Sequence, residues 1–123
     1  MIDFKKSMLF NLKESTSPMA HEVTAFMIEG EEFLGSFQAI RDYVVFTSKR
    51  IIAVNVKGVT GKQRDYTSIP YSQIQTFSIQ TSGVMDADSE LFIWIAEIGK
   101  IRFEFSGKVN ITAIAKSISE CTL

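Results

Sequence analysis

The rhythm of hydrophobic and polar positions changes once along the chain. In residues 1–30 the apolar side chains recur at spacings of three and four: Phe4, Met8, Leu9 and Leu12, then, beyond Ser15-Thr16-Ser17-Pro18, Val23, Phe26 and Met27. That spacing predicts two short helices ending at Gly30, with Ser17 as a cap and Pro18 as the first helical residue of the second. From Glu32 onward the period shortens to two. Phe33–Ile40, Tyr43–Thr47 and Arg50–Asn55 are rich in β-branched and aromatic residues and are broken by Arg41-Asp42 and Ser48-Lys49, as strands joined by tight turns would be. Gly58 and Gly61 bracket a loop, Gln63–Ile69 reads as a fourth strand stopped at Pro70, and Gln75–Thr81 alternates with Phe77 and Ile79 on one face.

Glu90–Ala96 is apolar on both faces, with Leu91, Ile93 and Ile95 opposing Phe92 and Trp94, which predicts a strand covered on both sides. Lys100–Phe105 alternates strictly and forms a hairpin with it through Glu97–Gly99. Asn110 can cap a final helix whose Ile111, Ile114, Ala115 and Ile118 fall on one stripe. The sum is seven antiparallel strands and one amphipathic helix. A sheet of that size bends on itself to cover its face and its edges, and the helix suits one open end. The expected class is mainly β (α+β), a split barrel of seven strands capped by a C-terminal helix over residues 31–123, with residues 1–30 as a helical extension.

A chain of 123 residues supports one sizeable core. The net charge of −1 argues against a uniformly basic nucleic-acid binder, whose affinity rests on displacing counterions with surplus cations. It conceals an asymmetry, however. Residues 41–64 hold Arg41, Lys49, Arg50, Lys57, Lys62 and Arg64 against Asp42 alone, leaving seven cations and thirteen anions elsewhere. Such a segment can meet a phosphate-bearing or acidic partner, or simply solvate hairpin ends. No Lys/Arg cluster in it is dense enough for a polybasic membrane anchor, so membrane contact is expected to be peripheral at most. Cys121 is the single cysteine, which excludes an internal disulfide and fits a cytoplasmic setting, as does the lack of an apolar signal segment near the N-terminus.

Candidate chemistry is sparse. Asp86, Asp88 and Glu90 alternate as in the start of a calcium loop, but the glycine and the later bidentate acid of such a loop are missing, so no metal is expected there. These carboxylates more simply cap turn amides or pair with cations across a subunit boundary. His21, the sole histidine, stands beside Glu22 without a nucleophile or oxyanion-hole signature, and KGVTGK lacks the phosphate-loop spacing. No catalytic residue, cofactor or nucleic acid is expected. Trp94, Phe92, Phe103 and Phe105 lie among aliphatics and read as core, and those facing outward suit a contact between subunits.

The strings Ile40-Arg41-Asp42, Phe46-Thr47-Ser48-Lys49-Arg50-Ile51-Ile52, Gly58-Val59-Thr60-Gly61-Lys62, Ser68-Ile69-Pro70-Tyr71 and Asp86 through Ile95, in this order and spacing, resemble the small bacterial pleckstrin-homology (PH) domain family over about residues 26–120. The pattern departs at Asn55 and Lys57, where the family has Asp and Gln, and at Gln80, where it has an acid. The resemblance implies a PH-like split barrel in a bacterial cytoplasmic protein, no enzyme, and a homo-oligomeric ring, a pentamer being one candidate size. With the charge asymmetry it sets two expectations: self-assembly that presents a binding surface to a protein or peptide, or a peripheral adaptor that binds acidic lipid or peptide through residues 41–64.

Overall fold

Alternating apolar residues make each strand of this chain one-faced, and a strand with one buried face needs neighbours that bury theirs on the same side. The computed structural model describes residues 9–15, 18–81 and 88–123. Its strands are β1 (Leu9–Glu14), β2 (Phe33–Ala39), β3 (Asp42–Thr47), β4 (Arg50–Lys57), β5 (Gln63–Pro70), β6 (Ile74–Thr81), β7 (Ser89–Ile95) and β8 (Gly99–Phe105), followed by helix α1 (Ile111–Thr122). They form one sheet in the order β5-β4-β3-β2-β1-β8-β7-β6. The seven expected strands, β2 to β8, are all present, and their pairings with one another are antiparallel.

The helical lead-in is corrected by the structure. Leu9–Glu14, expected within the first helix, is a strand that pairs antiparallel with β2 and parallel with β8. The reason is tertiary. β2 and β8 each offer a row of backbone donors and acceptors to the gap between them, and a strand satisfies both rows where a helix would satisfy neither. Leu12 thereby enters the core with no exposure, and its carbonyl accepts from the Ser106 amide at 2.9 Å. The remainder of the first expected helix, residues 1–8, lies outside the described residues, as does Ser17. The second expected helix, from Pro18 to Gly30, is 3-10 rather than α and ends at Phe26. At three residues per turn Val23 and Phe26 stack on one face, which the α-helical reading of the same apolar spacing did not distinguish.

The sheet wraps around one main apolar cluster to which all eight strands and α1 contribute, with Phe37, Phe46, Phe103 and Phe105 in edge contact within it. Edge strands β5 and β6 are joined by the turn Tyr71–Gln73, and α1 packs on that turn and on β6 through buried Ile114 and Ile118. The expected cap is in place: Asn110 Oδ1 accepts from the Ala113 amide at 3.3 Å. Tyr71, fully buried, donates from its hydroxyl to the Thr47 carbonyl at 2.7 Å and ties the turn to β3. A second, smaller cluster lies on the opposite face of β3 and β4, where Val23 meets Tyr43, Val45, Ile52 and Val54.

Candidate functional site

Because β3, β4 and β5 alternate in direction, their turns alternate between the two ends of the sheet. Arg41, Lys57, Lys62 and Arg64 therefore come to one end, and Lys49 and Arg50 to the other. The basic segment is not one patch. Arg41 Nη2 donates to the Gly58 carbonyl at 2.7 Å, bridging the β2–β3 and β4–β5 turns. Asp42 accepts from the Val56 amide at 2.9 Å and from Asn55 Nδ2 at 3.1 Å, which locks the register of β3 on β4. Asn55 thus serves as Asp42's structural partner. Lys57 lies 3.6 Å from Asp65, and Lys62 is exposed. Arg64 turns inward, donating to the Gly61 carbonyl, with its Nε 3.8 Å from Glu22.

At the opposite end Lys49 is exposed, but Arg50 is consumed by the fold. Its Nε and Nη2 grip the two carboxylate oxygens of Glu31 at 2.9 Å each, and Nη2 also donates to the Phe26 carbonyl. The Glu31 side chain is 1% exposed. Burial alone would push the Glu31 carboxyl up. The hydrogen bonds from Arg50, Thr47 and the Ile28 amide, with the charge of Arg50, outweigh that and hold it below its ordinary value. Thr47 completes the node: its hydroxyl donates to Glu31 at 2.5 Å and accepts from the amides of Lys49 and Arg50 in the turn.

Two features of this end and its opposite were not foreseen from the sequence. Ile40, in the two-residue link between β2 and β3, is 96% exposed and has φ of +51°, a left-handed conformation that is strained for a β-branched side chain. Val59, at the tip of the neighbouring turn, is fully exposed. A β-branched residue at a hairpin tip was the available signal. The role of Glu22 and Glu31 as partners of Arg64 and Arg50 had no local signal, because those contacts span 42 and 19 positions.

The remaining candidates sit on the outer face of β6–β8. Leu91, Ile93 and Ile95 point into the core; Phe92 and Trp94 point outward, half-buried, with ring centroids 6.4 Å apart. Lys100 Nζ lies 4.5 Å from the Phe92 ring and 5.8 Å from that of Trp94, a cation–π arrangement that covers part of the pair. Glu90 accepts from Arg102 at 2.6 Å and Asp88 from the Gly107 amide at 2.8 Å, so both acids have partners within the chain. Asp86 lies outside the described residues. A cleft of about 210 Å³ beside them is lined by Gln80, Thr81, Asp88, Ser89, Glu90 and Glu104. Among the described residues no group of three or more His, Cys, Asp or Glu side chains is placed to hold a metal ion, and no helix is long and apolar enough to cross a membrane.

An eight-stranded curled sheet closed by a C-terminal helix is a PH-like architecture, and the sequence matches the bacterial PH domain family over residues 3–122. The chain belongs to that family. Its relatives include the uncharacterized Bacillus subtilis (strain 168) protein YjqA, 40% identical over 107 residues that cover 85% of this chain and 86% of the relative. The uncharacterized YozO of the same organism is 32% identical over 69% of this chain and 72% of its own length. Among solved structures, this bacterial PH domain is similar to a DUF1696 family protein with a pleckstrin-homology domain from Shewanella loihica PV-4, with a TM-score of 0.70, 34% identity, and coverage of 93% of this chain and 99% of the other. A pleckstrin homology domain from Shewanella amazonensis SB2B gives a TM-score of 0.58 at 34% identity over 89% and 91% of the two chains. A PH-domain-containing protein from Exiguobacterium sibiricum 255-15, at 16% identity and a TM-score of 0.52 over 78% of this chain and 52% of the other, shares the fold.

Proposed function

We propose that this bacterial PH domain is a non-catalytic cytoplasmic module that assembles into a homo-oligomeric ring through β6 and the outer face of β6–β8, and thereby presents a binding surface to a protein or peptide partner. One observation carries the reading: β6 is an edge strand, and its sequence IQTFSIQT contains no charged residue and no proline. Edges that must stay unpaired are normally defended by such residues, and the other edge, β5, holds Arg64, Asp65 and Pro70. Beside the undefended edge stand Phe92 and Trp94, side chains of the kind that anchor interfaces. A contact between β6 and a different surface of the next copy is heterologous and closes into a ring when its rotation permits. Light scattering at micromolar concentration is expected to give a multiple of the 13.8 kDa chain mass. Ser78→Lys, on an exposed position of β6, is expected to reduce it to one chain. A single-chain mass for the unaltered protein overturns the proposal.

A second reading, peripheral docking on an anionic surface, draws on the two hairpin tips. Ile40 and Val59 are exposed on the two turns that the Arg41–Gly58 hydrogen bond joins, and those turns and their flanks also carry Arg41, Lys57 and Lys62. Apolar side chains enter the acyl boundary while cations meet lipid charge. On this reading the domain co-sediments with phosphatidylglycerol-containing vesicles and not with pure phosphatidylcholine, and Val59→Asp abolishes the difference. Equal sedimentation with both vesicles removes this second reading and leaves the first untouched.

A further inference from the structure

Ile40 works against its own turn. Its φ of +51° lies in the left-handed region, costly for a β-branched side chain, and at 96% exposure that side chain gains almost no contact within the chain to offset the strain. Strain that gives the fold nothing back is a sign of function. Val59, on the β4–β5 turn, is equally bare. The two turns are tied together. Arg41 Nη2 donates to the Gly58 carbonyl at 2.7 Å, and the same guanidinium lies so near Gly61 that a Cβ there would sit 3.5 Å from it. Ile40 and Val59 each adjoin one end of that hydrogen bond, so the link holds them in a fixed relation as one tip.

The cations around this tip are largely turned toward the chain itself. Arg41 holds the Gly58 carbonyl, Arg64 donates to the Gly61 carbonyl and pairs with Glu22, and Lys57 lies 3.6 Å from Asp65. Lys62 is exposed, and no carboxylate among the described residues pairs with it. A site for one particular phosphate headgroup needs several donors converging on it, an arginine fork above all. Both arginines here are directed at carbonyls of the turn they support. What they still supply is positive charge, which acts over a Debye length without being aimed.

We propose, resting on the second reading above, that the tip takes hold of an anionic bilayer as a surface and not of any one headgroup. Ile40 and Val59 enter gaps between the lipids, and the charge of Arg41, Lys57 and Lys62 keeps them there. A specific protein partner would have to cover about 800 Å² of this surface around a buried core. Two side chains on adjacent turns do not make such a core, whereas a bilayer accepts a protruding tip without matching its shape. The strain at Ile40 is then stability given up for an apolar side chain at the point where it reaches lipid. The tip belongs to the β2–β5 half of the sheet, so it stands or falls separately from assembly through β6.

The test is flotation of the full-length chain with mixed phosphatidylglycerol and phosphatidylcholine vesicles, about 30 nm or about 200 nm across. Strong curvature opens gaps between headgroups, so the small vesicles are expected to bind at least about threefold more protein per accessible lipid. Glycerophosphoglycerol, the soluble form of the headgroup, is expected to compete at millimolar concentration no better than sodium chloride of equal ionic strength. Ile40→Asn is expected to lower the partition at least about fivefold while raising the denaturation midpoint, so that unfolding cannot account for the loss. Val59→Ser, at a fully exposed position, is expected to act in the same direction. Competition by the soluble headgroup, indifference to vesicle diameter, or an unchanged partition for both variants each overturns surface docking and leaves charge-dependent binding in place. Absence of binding to every vesicle overturns both the proposal and the reading on which it rests.

Discussion

Thr47, Arg50 and Glu31 show how a single side chain can be claimed by the fold before it is free to bind anything. Arg50 was a candidate for an acidic ligand, yet its guanidinium holds a carboxylate from a segment 19 positions away, and Thr47 fixes that carboxylate and the β3–β4 turn together. Removing one member of a buried pair leaves the other uncompensated, so Glu31→Gln is expected to cost about 3 kcal/mol at neutral pH, read as a shift in urea midpoint. The pH dependence has a definite sign. The folded-state pKa of Glu31 lies below its ordinary value of 4.5, so its stabilising contribution is complete above that value and is lost as pH falls through the lowered one. Stability of Glu31→Gln should therefore decline less between neutral and acid pH; identical acid limbs for both proteins would refute the linkage. At the alkaline end the chain's three tyrosines act together. Burial, with Glu22 nearby, pushes Tyr43 up to about 12, burial and the hydrogen bond to Glu22 raise Tyr66, and burial raises Tyr71 furthest. The unfolded chain ionises first, so stability present below the ordinary value of 10 is lost as pH rises through the folded values. Phenolate absorbance is expected to rise together with loss of near-ultraviolet circular dichroism, and a full phenolate signal from folded protein at the ordinary value would refute this.

At the scale of elements, legibility followed the range of the forces involved. Strands β2 to β8 and α1 were readable because their alternation, turn residues and the Asn110 cap act within a few positions of where they are written. β1 was not. Leu9 and Leu12 are three apart, which fits one helical face, and only the presence of β2 and β8 on either side turns that segment into a strand. The same holds for the site: Asp42, Lys49 and Lys62 sit at turns as their neighbours imply, whereas the sequestering of Arg50 and Arg64 depends on acids distant in the chain. Since β1 bridges the two halves of the sheet and Leu12 is wholly buried, Leu12→Ala is expected to cost about 3 kcal/mol, far more than a surface change in β1 such as Lys13→Ala. Comparable denaturation midpoints for the two variants would show that β1 is not integral to the core. The β2–β3 link offers the converse. Asn tolerates the left-handed conformation that Ile40 is forced into, so Ile40→Asn should stabilise the domain by about 1 kcal/mol, and a lowered midpoint would contradict the strain argument.

For the whole molecule, the segregation of charge along the chain does not become segregation in space. The cationic stretch 41–64 is met by Glu31, Glu22 and Asp65 of the same chain, and on the other half of the sheet Arg102 is shared between Glu90 and Glu104. What stays unguarded among the described residues is the backbone edge of β6, a strand with no charged residue; Phe92 and Trp94 stand beside it, partly covered by Lys100. Backbone pairing and aromatic burial respond differently to salt from ion pairing. Exposed ion pairs are screened as the Debye length falls from about 10 Å near 0.1 M salt to about 3 Å at 1 M, while apolar contact is not weakened by that screening. If copies of this chain met through complementary charge, their assembly would dissociate over that range. Assembly through β6 is expected to keep its mass from low to high salt in sedimentation velocity, and to lose it on Trp94→Ala in a variant whose thermal unfolding remains cooperative. Dissociation by salt together with indifference to Trp94→Ala would transfer the contact from the aromatic face to the charged turns.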